Sequence, residues 1–247
     1  MPGCDKRLPH GLFLKDQSLM LLVKGGQLMP LTITEQFVLL AINRDSGMLD
    51  SRLSSKLGFY LAASGMLELL LSDTFRLDAN DKLTFNPSKP PAGPAYLGWI
   101  AGKIAKSRQP ASIENIIVSL YSWNSRTLHK RVFESMETRG LLEKKQRKAM
   151  LVLHFTFWSM QDDVRQTLLL RLREVLLEDG AAGPELLSLS LLAAHANILQ
   201  PHFSQDEYAR IKQRIAYLET KHALSGVPLW YSKMKRAYTE ALSSGLG

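Results

Sequence analysis

The chain has a single cysteine, Cys4, among its 247 residues. One thiol forms no internal disulfide and no cysteine metal cage, so the fold is expected to rest on its core in a reducing compartment. No apolar stretch reaches the roughly 18 residues that span a bilayer. The runs Leu12 to Leu14 and Leu19 to Val23 are interrupted by Lys15 and Asp16, and read as too short and too charged for a signal peptide. Gly-x-Gly-x-x-Gly and Walker loops are missing, as is a Gly-x-Ser-x-Gly elbow. The histidines have no His-Glu-x-x-His spacing, so neither a metal nor a cofactor is expected. His195, within Leu191-Leu192-Ala193-Ala194-His195, reads as a hydrogen-bonded core residue. Asp162-Asp163 and Asp206-Glu207 read as charges favoured at helix starts. These absences point away from an enzyme, and no catalytic residue is assigned.

What the chain does have is positive charge. Its formal net charge is +8. Such an excess speaks to partners, whether nucleic acid, an anionic membrane or an acidic protein. The hydrophobic fraction of 45% supports a core of ordinary size. The reading divides the chain into a loosely ordered lead-in at 1–30, rich in proline and glycine, and one domain at 31–247.

The pattern predicts a mainly α fold, a compact helical bundle with one or two short β-hairpins. Thr32 and Glu35 form a capping box, with Leu31 placed as a staple, before a nearly all-apolar helix to Ile42 that Asn43 to Gly47 ends. A second helix is expected over 51–71 and a hairpin over 75–85. A proline-rich loop follows at 86–94. Helices come next at 95–106, 112–121 and 126–138, stopped by Gly140. A second hairpin runs to Trp158, its tip near Lys144 to Lys148. Further helices cover 162–178, 185–199 and 204–221, the last with a Ser204/Glu207 capping box, and Pro228 opens a final one. Helix, Gly-Met-Leu, hairpin at 58–85 is loosely echoed by helix, Gly-Leu-Leu, hairpin at 126–157.

The basic residues concentrate in one place. Arg126, Lys130, Arg131, Arg139, Lys144, Lys145, Arg147 and Lys148 lie within 23 residues, against Glu134, Glu137 and Glu143. Arg126 and Lys130 share a helix face, with His129 beside them. The basic run at 144–148 leads directly into Ala149 to Leu153. A basic collar with an apolar run suits a membrane surface, with Met150, Leu151 and Val152 at the acyl boundary. The competing reading is a winged-helix nucleic-acid binder, with 126–139 as recognition helix and the hairpin as wing. A third is a cytosolic adaptor for acidic peptides. Arg44, Arg52, Lys56 and Arg76 read as a wet face. Trp123, close to Arg126, fits either an interface or the core.

Leu31-Thr32-Ile33-Thr34-Glu35 with its apolar run, Leu61 to Asp78 with Glu68-Leu69-Leu70-Leu71, Leu128 to Leu142, and Leu187 to His195 together resemble the Golgi phosphoprotein 3 family, as a divergent or bacterial member. The resemblance implies a helical, single-domain peripheral membrane protein that binds phosphatidylinositol 4-phosphate. In eukaryotes it would sit on the cytosolic face of the Golgi and hold the cytosolic tails of membrane proteins; self-association stays open. The family's lipid pocket uses a tryptophan, an arginine and a later arginine pair. Those positions fall here on Leu53, on Ala62, and on Arg126 with His129, so only one ligand is clearly kept. The family's membrane-entering hairpin corresponds to about 143–157.

Overall fold

The computed structural model describes residues 28–106, 111–149, 153–160, 162–178, 180, 182–221 and 226–244, with the strand backbone at 6–7, 12–15 and 18–22. Side chains are described from Pro30 onward, except at 146–149, 153–156, 221, 226 and 228. Cys4 and Met150, Leu151 and Val152 lie outside the described residues.

Four short strands precede the first helix: β1 (Lys6–Arg7), β2 (Leu12–Lys15), β3 (Ser18–Leu22) and β4 (Leu28–Pro30). They pair as an antiparallel meander in the order β1-β2-β3-β4, which the sequence reading did not anticipate.

Helix α1 (Ile33–Ala41) starts where the capping box places it. The Thr32 side chain accepts from the Glu35 N–H, and the Glu35 carboxylate accepts from the Thr32 N–H. The staple position opposite Leu31 holds Gln36, so a polar bond replaces an apolar contact: the Gln36 amide donates to the Leu31 carbonyl at 2.9 Å. All nine helical residues are buried. The Ile33 N–H, another of the free donors at this helix start, is taken by the Glu68 carboxylate. In the turn that follows, Asn43 Oδ1 accepts from the N–H groups of Asp45 and Ser46. Gly47 closes it at φ +64°, where a Cβ would meet the Trp158 carbonyl at 2.6 Å.

Helix α2 spans Leu57–Leu71 and does not begin at Ser51. Residues 51–56 form turns, because the Asp50 carboxylate caps the Arg52 N–H at 2.9 Å and Ser54 Oγ bonds the Ser51 carbonyl. The helix is buried almost all round, and two glycines make room for its neighbours. A Cβ on Gly58 would sit 2.5 Å from the Ser125 Cβ, and one on Gly65 would strike Ile100. The hairpin β5 (Phe75–Leu77) and β6 (Leu83–Phe85) follows as expected, then α3 (Ala95–Ala105).

The expected break at 122–125 is absent. Helix α4 runs unbroken over Ile113–Thr138, capped by Ser112. The Ser-Trp-Asn-Ser segment carries neither glycine nor proline, so nothing forbids a helix there. Ser125 is small because α2 passes against it at Gly58. The helix ends in paired reverse bonds, Gly140 N–H to Glu137 and Leu141 N–H to Met136, with Gly140 at φ +74°.

Strands β7 (Leu142–Ala149) and β8 (Leu153–Met160) pair from Leu142↔Met160 out to Ala149↔Leu153. The basic run therefore lies along β7, and the expected tip at 144–148 is corrected to a reversal beyond Ala149. Helices α5 (Asp162–Leu177), α6 (Pro184–His195), α7 (Gln205–Lys221) and α8 (Gly226–Ser243) complete the fold. Helix α6 stops four residues earlier than expected, with Asn197 at φ +57° just past its end. The second capping box forms: Ser204 and Glu207 bond each other's backbone N–H. His195 is hydrogen-bonded as expected but half-buried at the edge of the core, its Nδ1 3.1 Å from Tyr60 Oη, and burial pushes its pKa down to about 4.

Candidate functional site

Helix α4 positions the basic residues. Its stripe Ile116, Ile117, Leu120, Leu128, Val132 and Met136 is buried, which forces the opposite side into solvent. There Trp123 stands 86% exposed beside exposed Arg126 and Lys130. Lys130 makes only a loose i,i+4 contact with Glu134 at 3.7 Å. An exposed tryptophan next to two exposed cations is the feature of this face that packing does not explain.

The other predicted site residues diverge from it. On a helix turning about 100° per residue, Arg131 stands roughly 140° round from Arg126. Its guanidinium lies over the Trp99 ring of α3 at 5.4 Å. His129 turns the other way, edge-on to Phe133 at 4.4 Å, with Nε2 buried and without a partner among the described residues. Burial pushes its pKa down, so near neutral pH it is an uncharged ring against Phe133. Arg139, part of the same basic run, is structural: its Nη1 donates to both Glu35 oxygens at 2.6 Å and its Nη2 to the Pro30 carbonyl at 2.8 Å. The eight basic residues therefore do not converge on one face.

The hairpin is anchored beside α4. Trp158 packs on Phe133 at 4.8 Å, and its N–H donates to the Gly47 carbonyl at 2.7 Å. Lys144 and Lys145 are exposed near the base of β7. As neighbours in a strand they project to opposite faces. Lys145 pairs with Glu143 at 3.2 Å. Arg147 and Lys148 sit opposite Phe155 and His154 in the register; their side chains are outside the described residues. Leu53 and Ala62 are buried, 2% and 0% exposed. Both belong to the apolar core.

The scattered cations have partners: Arg44 pairs with Asp162, Arg52 with Asp50 and Arg76 with Asp73, and Lys56 lies 5.6 Å from the Tyr238 ring centre. Among the described residues no helix is long and apolar enough to cross a membrane.

The family model for Golgi phosphoprotein 3 (GPP34) matches residues 33–234. The chain belongs to this family. A search of curated proteins finds no match. The match runs from the first residue of α1 into α8, so it takes in α4, the β7–β8 hairpin and every buried helix of the bundle.

Sequence reasoning missed one residue of note. Arg165 occupies a stripe position of α5, among Val164, Leu168 and Leu172, and is buried. An arginine interrupting an apolar period of 3.6 was the available signal.

Proposed function

We propose that this protein is a peripheral membrane protein, a binding module without catalytic activity, that docks on anionic phospholipid through the exposed side of α4 and the hairpin beside it. The observation that carries the reading is Trp123, 86% exposed next to Arg126 and Lys130. An amphipathic ring among cations suits the headgroup level of a bilayer. Arg126 and Lys130 contact phosphates directly. Arg131, Lys144, Lys145, Arg147 and Lys148 add charge around them, and Met150 to Val152 reach the acyl boundary. His129 supports the hairpin as a neutral ring. With Leu53 and Ala62 in the apolar core, phosphatidylinositol 4-phosphate is bound as one anionic lipid among others, with little selectivity. Cytosolic tails of membrane proteins are the cargo this reading implies, on the cytosolic face of the Golgi in a eukaryotic cell.

Vesicle flotation tests this. Binding is expected to rise with phosphatidylserine or phosphatidylinositol 4-phosphate content and to fall with salt. Each Lys or Arg near an anionic surface is worth about 1 kcal/mol, so the double change Arg126→Ala, Lys130→Ala weakens binding by roughly thirtyfold. Binding that ignores anionic lipid content, or a salt-dependent shift with duplex DNA and none with vesicles, overturns the reading.

A further inference from the structure

Among the described residues two basic residues are buried, Lys233 and Arg165. Lys233 has its counter-charges, Asp81 at 2.9 Å and Glu114 at 3.9 Å. Arg165, 5% exposed, has no carboxylate in contact among the described residues; Asp162 and Asp45 act on it only from a distance. Its Nη2 lies 3.2 Å from His202 Nδ1 and its Nη1 3.9 Å from Met160 Sδ. The tautomer of His202 follows from its other nitrogen. Nε2 sits 3.0 Å from the Leu40 carbonyl, which can only accept, so Nε2 carries the hydrogen and Nδ1 accepts from Arg165. The imidazole is thus a neutral clamp that fixes the guanidinium without cancelling its charge. Burying a charge without a carboxylate in contact is costly, and an anion reaching it would offset part of that cost.

Arg165 lines a cleft of about 710 Å³ between the 43–52 turns and α5. Arg44 and Arg52 line the same cleft, their side chains 62% and 54% exposed. Asp45, Asp50 and Asp162 line it too, and two of these hold the outer arginines in surface pairs. The Arg44–Asp162 pair at 3.5 Å is of the weak surface kind, while Asp50 holds Arg52 through Nε and Nη2 and leaves Nη1 turned to Gln200. Formal charge is therefore balanced, and what distinguishes the cleft is that its buried cation has no carboxylate in contact among the described residues.

We propose that this cleft binds a phosphate group, with Arg165 as the buried anchor and Arg44 and Arg52 closing over it. A carboxylate is satisfied by one planar guanidinium. Three guanidinium groups around one cleft suit a tetrahedral dianion with several acceptor oxygens. The cleft lies on the α5 side of the loop that Gly47 ties to the hairpin, and it shares no residue with the α4 face. It stands whether or not α4 binds lipid.

The test uses the full chain and inorganic phosphate, compared with chloride at equal ionic strength and pH 7. Phosphate is expected to raise the melting temperature of the wild type, and titration calorimetry should report binding. Arg165→Gln should weaken that binding by roughly 10- to 100-fold, and Arg52→Gln by less. Arg165→Lys keeps the charge and loses the fork, so it falls between. If Arg165→Gln does not fold, Arg52→Gln and Arg165→Lys carry the same comparison. Absence of a phosphate effect in the wild type, or an effect of wild-type size in the arginine variants, overturns the proposal. Vesicles bearing a phosphomonoester headgroup, set against phosphatidylserine vesicles, separate the sources. Loss of the monoester preference in Arg165→Gln marks a lipid headgroup as the ligand. An unchanged preference, with phosphate binding lost, marks a soluble phosphorylated ligand.

Discussion

Helix α2 with its hairpin β5–β6 and helix α4 with its hairpin β7–β8 repeat one order of elements in two environments. Eleven of the fifteen residues of α2 are buried, and the strands of its hairpin are three residues long. Helix α4 buries one stripe, exposes Trp123, Arg126 and Lys130, and leads into strands of eight residues. The same local design thus serves once as core and once as surface. What separates the two is the width of the apolar stripe, nearly all round in α2 and about one side in α4.

The largest expected break in this contrast lies within α4 itself. Arg139, at its C-terminal end, is tied to buried Glu35, while Arg126 points into solvent. Removing one partner of a buried pair costs about 3–5 kcal/mol, so Arg139→Ala is expected to destabilise the fold by that much. Arg126→Ala and Trp123→Ala should stay within about 0.5 kcal/mol. Urea unfolding of the three variants checks this. Equal losses in all three would mean that the exposed side of α4 is part of the folded core, and the surface reading would go with it.

A smaller effect sharpens how the two units are joined. Gly58 of α2 meets Ser125 of α4, and a Cβ there would come within 2.5 Å of the Ser125 Cβ. Gly58→Ala gains helix propensity but overpacks the contact, for a net loss of about 1–2 kcal/mol. Ser125→Gly should restore part of it, a coupling that a double-mutant cycle measures. Additive losses would mean that the helices separate freely at this point.

Much of this was legible in the residues. The α1 capping box, the β5–β6 hairpin and the Ser204 box each depend on chemistry within a few residues, and each appears in place. The readings that failed depended on partners far along the chain. Arg139 looked like one more surface cation because Glu35 is 104 positions away. The Ser-Trp-Asn-Ser segment looked like a break because its reason, the passing α2, lies at Gly58. Arg131 is a different case: its five-residue spacing from Arg126 already turns it about 140° round the helix, where it lies over Trp99. Of the candidate site, Arg126 and Lys130 share the exposed side that their four-residue spacing implied, and the pattern alone could not tell which other cations join them.

The smallest expected effect concerns how the two helices stop, and it corrects the internal echo. The sequence matches Gly65 to Gly140, but Gly65 lies inside α2 against Ile100, while Gly140 ends α4 at φ +74°. The residue that ends α2 in the same left-handed conformation is Asp73, at φ +62°, its N–H donating to the Leu70 carbonyl at 3.0 Å. Aspartate tolerates that region better than most residues and here also bonds Arg76 and Asn86. Glycine needs no such help, and a Cβ at Gly140 would meet nothing within 4 Å. Gly140→Ala therefore carries a pure backbone penalty of about 1 kcal/mol. Asp73→Ala should lose stability to a similar extent, adding the lost side-chain bonds to strain already present. Asp73→Gly exchanges those bonds for relief of strain and should be close to neutral, which thermal melts of the three variants resolve. If Asp73→Gly proves as damaging as Asp73→Ala, the carboxylate and not the backbone turn ends α2, and the two helix ends are alike only in outline.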